Sequence, residues 1–424
     1  MSDAVDRLGT EEVARRLGVK RETVYAYVSR GLLERHPASG PHDSQFDPEE
    51  VERLATRARR PDRSSALEVV VETELTLLDP AGRLSYRGRD AIELARFRSF
   101  EEVVALLWDG APPTPWRLDE ERAAAVEALS AALGPDAPDA ERIAAVVATL
   151  AARDPSRDSR DPETVRRAGA EVFAATLTLS ALDRGRPSLP GTDRGRPSLS
   201  MGLRRSPAPR TTLRGSPAVA ERLWVALAGA DATARAEQVK ALEAALILLA
   251  DHELAASTFA ARVAASAWAG PYRVILAGLG PLGGALHGGA GLAVEALLDE
   301  VAAGADPGEA LDARLAAGSV PGFGHRVYRD RDPRADHLLG RLGPDPLATA
   351  LLDAAAARGL PAPNVDFALA ALVKAHGLRP GSAATIFTVA RIAGIVAHAL
   401  EEYEHRLRFR PRASYVGPAP PTVP

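Results

Sequence analysis

From about residue 67 onward, apolar positions recur with helical spacing in one segment after another. The periodic stretches are 91–108, 120–133, 140–152, 162–179, 218–228, 234–250, 258–267, 292–303, 346–358, 364–376 and 383–406. Apolar side chains at i, i+3, i+4 and i+7 predict helices that bury one face or more. Ahead of them, TELTLLDPAGRLSYRG predicts a short β-hairpin of 72–78 and 83–86 turning at 79–82. Ten or more helices with one small hairpin predict a mainly α fold.

The first 63 residues follow another pattern. Thr10 is placed to cap a helix through Leu17, with Glu11 and Glu12 favourable in its first turn. Gly18 fits a turn, a second helix spans 20–30, and Gly31 ends it. Residues 36–46 are rich in Gly, Pro, Ser and His, as a wing or loop would be, and 47–50 open a third helix. The words TEEVARRLGVKRETVYAYVSRGLL and QFDPEEVERL resemble the winged helix-turn-helix of the MerR and excisionase regulators. That resemblance implies that Lys20, Arg21, Thr23 and Tyr27 face the DNA major groove, and that a dimer would present two copies to a palindrome. Residues 1–64 carry 12 basic and 12 acidic side chains, so no net positive field supports DNA binding. A structural or protein-contact module is the competing expectation.

Composition narrows the function classes. Of 424 residues, 46% are hydrophobic and 25% charged, with a net charge of −4, an ordinary soluble mix with no pull toward nucleic acid as a whole. The chain has no cysteine, which excludes disulfides, thiolate metal sites and cysteine nucleophiles. The polar first dozen residues predict no secretory signal, and runs such as 143–152 fall short of the roughly 20 apolar residues a bilayer span needs. A cytoplasmic protein is expected, without membrane contact. Segment 183–217 repeats DRGRPSL and has eight arginines against two aspartates. It is expected to be a disordered, solvated insertion, with nucleic-acid contact as the lesser alternative.

Nine histidines limit the possible chemistry. His36, His42 and His376 are expected at the surface. His398, Glu402 and His405 share one helical face, but the charged run EEYEHR predicts a solvated face and no metal site. His252 in DHE, His287 in ALHGGA and His325 in PGFGHRVY stand in less usual settings. A helix amino terminus after Gly289 would keep His287 neutral and able to donate to a developing enolate. Asp366, wedged in NVDFALAAL, is expected to have a raised pKa suited to a general base on a carbon acid. Arg391 lies inside IFTVARIAGIVAHAL and needs a carboxylate, either an internal one or a substrate's. Arg334 and Arg410 add guanidinium groups near proline-fixed turns. One base, neutral histidines and several arginines suit proton abstraction beside a carbonyl, with a di- or tricarboxylate bound.

In order, YRGRDAIELA, FEEVVALLW, LADHELAASTFAARVAAS, LGGALHGGA, GFGHRVYRDRDPRA, PNVDFALAAL, ARIAGIVAHALEE and RPRASYVGP resemble the citrate synthase family over about residues 72–417. The resemblance implies an acyltransferase of two helical domains. The large one would span 64–287 and 371–424 and the small one 288–370, closing over a cleft in a homodimer. It further implies that Asp366 removes a proton from acetyl-CoA, His287 stabilises the enol, and His325 polarises the ketone of oxaloacetate. His252, Arg334, Arg391 and Arg410 would hold the carboxylates, Arg410 from the partner subunit, and Phe387 would pack on the substrate. Arg326 and Arg329 would meet the CoA phosphates, and no metal or cofactor is implied. Gly291 and Ala285 depart from the family's usual asparagine and proline. Propionyl-CoA as donor, giving 2-methylcitrate, and a DNA-binding sensor of oxaloacetate or acyl-CoA are the alternatives; acyl choice turns on about one methylene of pocket space, worth roughly 1–3 kcal/mol.

Overall fold

The structure, a computed structural model, describes residues 7–17, 24, 28, 33, 35–37, 44–48, 50–51, 70–110, 116–134, 137–182, 218–228, 236–285 and 287–411. The chain divides into two compact units, Met1–Glu72 and Thr73–Pro424.

In the first unit the helix Thr10–Leu17 forms as its pattern predicts. Strands Leu8–Gly9, His36–Pro37 and Ser44–Phe46 make an antiparallel sheet with the third strand in the middle. The expected wing therefore begins and ends in a paired hairpin, His36 opposite Gln45 and Pro37 opposite Ser44. His36, expected at the surface, is half-buried there. Val13, Ala14, Val24, Leu33, Phe46 and Val51 form the unit's apolar core. Lys20, Arg21, Thr23, Tyr27, His42 and most of the two further expected helices lie outside the described residues.

The second unit is mainly helical. Among the described residues its one sheet joins Thr76–Asp79, Arg83–Tyr86 and Arg89–Asp90, the expected hairpin plus a third short strand. The turn closes where the Asp79 carboxylate accepts the Ala81 N–H at 2.8 Å and Gly82 takes φ +98°. Periodicity located most helices but missed their punctuation. The expected helix 91–108 is two helices, Ala91–Phe97 and Phe100–Leu107. Between them Ser99 and Glu102 form a reciprocal capping box, a pattern legible in SFEE. Helices Pro271–Leu282, Pro307–Ala316 and Pro333–Leu342 were not among the expected segments. Each opens on a proline, whose missing N–H is harmless in the first turn. Arg334 accordingly sits in the first turn of a helix, not in a proline-fixed turn. Segment 183–217 lies outside the described residues.

Two apolar cores organise this unit. The larger surrounds the helix Ser382–His405 and includes Tyr86, Trp108, Phe173, Trp224, Ile247 and Ile392. That helix is long and apolar enough to cross a bilayer, contrary to the expectation of no such run, yet 89% of its apolar window is buried among neighbouring helices. The smaller core joins Ala290–Ala302, Pro307–Ala316, Pro346–Ala357 and Val365–Ala375 through Leu297, Leu311, Leu351 and Phe367. Helix Val365–Ala375 serves both, giving Leu369 and Leu372 to one core and Phe367 and Ala370 to the other. Asp366 thus stands where the two cores meet.

Candidate active site

Residues 322–325 and 361–366 are locked together by their backbones. Gly324 donates its N–H to Ala362 O, Asn364 donates to Gly322 O, and the Asn364 amide donates to Gly324 O, each at 2.9 Å. Gly322 and Gly324 both lie at positive φ, +87° and +74°. A Cβ on Gly322 would stand 3.0 Å from Val294 and 3.2 Å from Phe367. Close approach of the two segments therefore requires glycine there. Asn364 also caps the next helix, its Oδ1 accepting the N–H groups of Asp366 and Phe367. These contacts bring the loop that carries His325 against the start of the helix that carries Asp366.

His325 has a defined tautomer. Its Nδ1 accepts the N–H groups of Val327 and Tyr328 at 3.1 Å, so the neutral ring carries its proton on Nε2. Burial, then the charge of Arg334, lowers its pKa to about 4. Nε2 lies 3.3 Å from Arg334 Nη2, another donor. Two donors cannot satisfy each other, so this pair is arranged for an oxygen acceptor from outside. Arg334 is itself buried and held by Asp332 through two oxygens, at 2.9 and 2.8 Å. Asp332 also accepts the Val365 N–H at 3.0 Å, tying the arginine to the start of the Asp366 helix. Burial would raise the Asp332 pKa, but Arg334 and its hydrogen bonds outweigh it and keep the carboxylate ionised.

His252 enters from a tight turn after the helix Ala236–Leu249. The turn is held by Tyr86, whose hydroxyl donates to Ile247 O at 2.9 Å and Asp251 O at 3.1 Å. Glu253 takes a left-handed φ of +55° and donates its N–H to the Asp251 carboxylate. The His252 ring lies 5.2 Å from that of His325 and 5.7 Å from that of Tyr328, while His325 and Tyr328 are 4.6 Å apart. Burial, with Arg334 and Arg391 adding to it, pushes the His252 pKa well below its usual value.

On the other side, one His287 ring nitrogen, Nε2, meets Ser257 Oγ at 2.8 Å, and burial followed by Arg391 lowers its pKa to about 4. Gly288 is needed beside it, because a Cβ there would sit 2.4 Å from Leu282 O. Arg391 is buried and donates to Leu249 O at 3.1 Å and to Ser257 Oγ at 3.5 Å. Its guanidinium lies 4.9 Å from the Phe387 ring, and that ring packs edge-on to His287 at 5.6 Å. Among the described residues no carboxylate comes within ion-pair distance of Arg391. Asp366, its own pKa raised to about 6 by burial, feels Arg334, Asp332 and Arg391 together.

The structure therefore gathers His252, His287, His325, Arg334, Arg391, Phe387 and Asp366 into one cluster, linked by ring contacts and mutual electrostatics. Arg329 lines a cavity of about 160 Å³ beside His325 and Tyr328, whereas Arg326 is exposed and does not line it. Arg410 is exposed after the last helix and is not part of the cluster. Ser257, Tyr328 and Asp332 escaped the sequence reading, because a serine, a tyrosine and an aspartate in apolar or charged runs carry no local signal of convergence.

Two expectations are corrected. His398 and Glu402 are fully buried rather than solvated, His398 meeting Asp251 at 3.2 Å and Glu402 meeting Arg262 at 2.8 Å. His376 is half-buried with its ring edge-on to Trp224 at 5.6 Å. Among the described residues there is no cluster of three or more potential metal ligands.

The family model described as citrate synthase, C-terminal domain, matches residues 66–412. The citrate synthase of Haloferax volcanii is 34% identical over 379 residues, covering 82% of this chain and 94% of that protein. The 2-methylcitrate synthase of Mycobacterium tuberculosis is 31% identical over 383 residues, covering 84% and 91%. Among solved structures, the citrate synthase of Thermoplasma acidophilum in a ternary complex with carboxymethyl coenzyme A and oxaloacetate superimposes with a TM-score of 0.64 at 27% identity, over 84% of this chain and 96% of that one.

Proposed function

The chain belongs to the citrate synthase family, and from that premise we propose how its own residues perform the family's reaction. The enzyme condenses acetyl-CoA with oxaloacetate and water to give citrate and CoA, with acetyl-CoA as a substrate and no cofactor. Arg391, Arg334 and His252 hold the oxaloacetate carboxylates, and Arg410 reaches the same site from a partner subunit of a homodimer. The His325 Nε2–H donates to the ketone oxygen and polarises the carbon for attack. Asp366 takes a proton from the acetyl methyl group while His287, neutral, donates to the thioester oxygen as the enol forms. Ser257 holds one ring nitrogen of His287 and leaves the other for the thioester. The enol carbon then bonds to the ketone carbon, and water cleaves citryl-CoA in the same enclosed site. Phe387 packs against the substrate, and Arg326 and Arg329 meet the CoA phosphates.

One observation carries these roles: a base raised to about 6 shares a cleft with imidazoles lowered to about 4. A carboxylate near neutrality is matched to proton abstraction, and neutral imidazoles donate without first losing a charge. Asp366 also stands between the two apolar cores, which supports closure of a small domain, 288–370, on a large one, 64–287 with 371–424, as the step that completes the site.

Release of free CoA thiol on mixing the protein with oxaloacetate and acetyl-CoA or propionyl-CoA tests this directly. The cysteine-free chain contributes no thiol background. Turnover is expected, and the ratio of the two rates decides between citrate and 2-methylcitrate as product. No release from a folded protein that binds oxaloacetate would favour a sensor instead.

For the first unit we propose a winged helix-turn-helix module over residues 1–63 in a cytoplasmic enzyme. The hairpin His36–Pro37 with Ser44–Phe46 and the core of Val13, Val24, Leu33 and Phe46 support it. DNA binding through Lys20, Arg21, Thr23 and Tyr27 is tested by capture of genomic fragments with and without residues 1–63 at fixed salt. Equal capture by both forms would exclude it.

A further inference from the structure

Tyr328 belongs to the cleft but to none of the roles above. Its side chain is 3% exposed, and its hydroxyl is buried with no hydrogen-bond partner among the described residues. His252 Nε2 is orphaned in the same way, and the two rings are 5.7 Å apart. The Arg334 guanidinium lies 5.5 Å from the Tyr328 ring, and His325 leans on that ring at 4.6 Å. A buried polar atom without a partner is costly to the ligand-free protein, and natural structures keep few of them. Two such atoms beside a buried arginine and the Nε2–H of His325 form an incomplete hydrogen-bonding shell. An incoming group made only of acceptors would complete it. Burial holds the phenol proton in place, raising its pKa to about 12, so the hydroxyl is a donor at any physiological pH.

We propose that Tyr328 is a substrate-binding residue, its hydroxyl donating, together with His252 Nε2 and Arg334, to one carboxylate of the keto-diacid. This rests on the placement of oxaloacetate given above. His325 serves the ketone, so Tyr328 discriminates on the acid group and leaves the carbon chemistry to others. The hydroxyl is paired only when the ligand is present, which makes ligand-free stability and ligand affinity respond in opposite directions when it is removed.

The test compares full-length Tyr328→Phe with the wild type. The ligand-free melting temperature is expected to be unchanged or higher, since only an unsatisfied hydroxyl is lost. By calorimetry the Kd for oxaloacetate rises roughly 10- to 100-fold, the loss of one hydrogen bond to a charged group. L-malate, which keeps both carboxylates and lacks the ketone, weakens by the same factor. In turnover KM for oxaloacetate rises by a similar factor. Unchanged oxaloacetate affinity would overturn the proposal, and so would a drop of several degrees in the ligand-free melting temperature, which would reveal an internal partner. A loss for oxaloacetate but not malate would move the hydroxyl to the ketone and overturn the carboxylate assignment. A wild-type protein that bound neither acid would instead overturn the placement of oxaloacetate on which the proposal depends.

Discussion

Two buried arginines, Arg262 packed against the helix Ser382–His405 and Arg391 within it, are held in opposite ways. Arg262 meets Glu401 at 2.6 Å and Glu402 at 2.8 Å, with the Nδ1 atoms of His405 and His398 at 3.1 and 3.4 Å. Glu401 in turn accepts from Thr73 Oγ1 and the Glu74 N–H, which ties the network to the chain just ahead of the sheet. Arg391 has a carbonyl and a hydroxyl and, among the described residues, no carboxylate. The same contrast separates two aspartates. Burial would raise the Asp251 pKa, yet His398, Arg391 and the Thr76 hydroxyl outweigh it and hold the carboxylate ionised. Asp366 has no side-chain hydrogen bond among the described residues, and burial outweighs the charges of Arg334 and Arg391. A closed charge network stabilises; an open one waits for a ligand.

The largest effect tests the open side. Asp366→Asn is expected to lower thiol release by roughly 10²- to 10⁴-fold, the worth of a positioned base, while calorimetric oxaloacetate binding survives. A wild-type rate would remove Asp366 from that role.

The two arginines should then respond in mirror image. Arg262→Met leaves the fully buried Glu402 without its cation, removes one of the partners of Glu401, and is expected to cost about 3–5 kcal/mol of stability by denaturant titration. Oxaloacetate affinity of the remaining folded protein should not change. Arg391→Met should keep its stability and lose oxaloacetate affinity by about 2–5 kcal/mol, measured by calorimetry. Equal destabilisation by both would erase the distinction between them.

The pH dependence is a smaller, graded effect. With Asp366 at about 6, kcat/KM should fall tenfold per unit as pH drops below that value. His287 and His325, at about 4, stay mostly neutral down to pH 5. The signs for stability differ. Asp366 is raised, so its contribution is full below 3.8 and is lost as pH rises through about 6. Asp251 is lowered, so its contribution is present above 3.8 and is lost only as pH falls below that value. Activity should therefore decay in acid before Asp251 loses its charge. A rate profile flat from pH 7 to 5 would contradict the raised base.

Smallest of all, Ser99→Ala should cost about 1 kcal/mol of stability through the lost cap and leave both oxaloacetate affinity and rate untouched. A change in affinity would mean that global loosening alone perturbs the open site, and would weaken the case drawn from Arg391.

Much of this was legible in the chain. The helix with His398 was located to within a residue at either end, and Asp366, His287 and His325 stood out by their neighbours. The helices that open on Pro271, Pro307 and Pro333 were overlooked because proline reads as a breaker unless its position in the first turn is recognised. His398 and Glu402 are buried although EEYEHR looks solvated in isolation, whereas His405 on the same face is exposed as expected. Only Arg262, more than a hundred residues earlier, turns it into a buried network.

The sequence by itself determined the helical architecture, the order of the motifs and the chemical types in the site. Periodicity, capping and turn chemistry act over a few residues and can be read from them. Which buried charges are closed, and which are open, was decided only by the tertiary structure. Arg262 and Arg391 lie in similarly apolar surroundings, and their fates differ through side chains brought within about 3 Å by packing across the whole chain. Ion pairing is a matter of distance in space, and local pattern does not carry it.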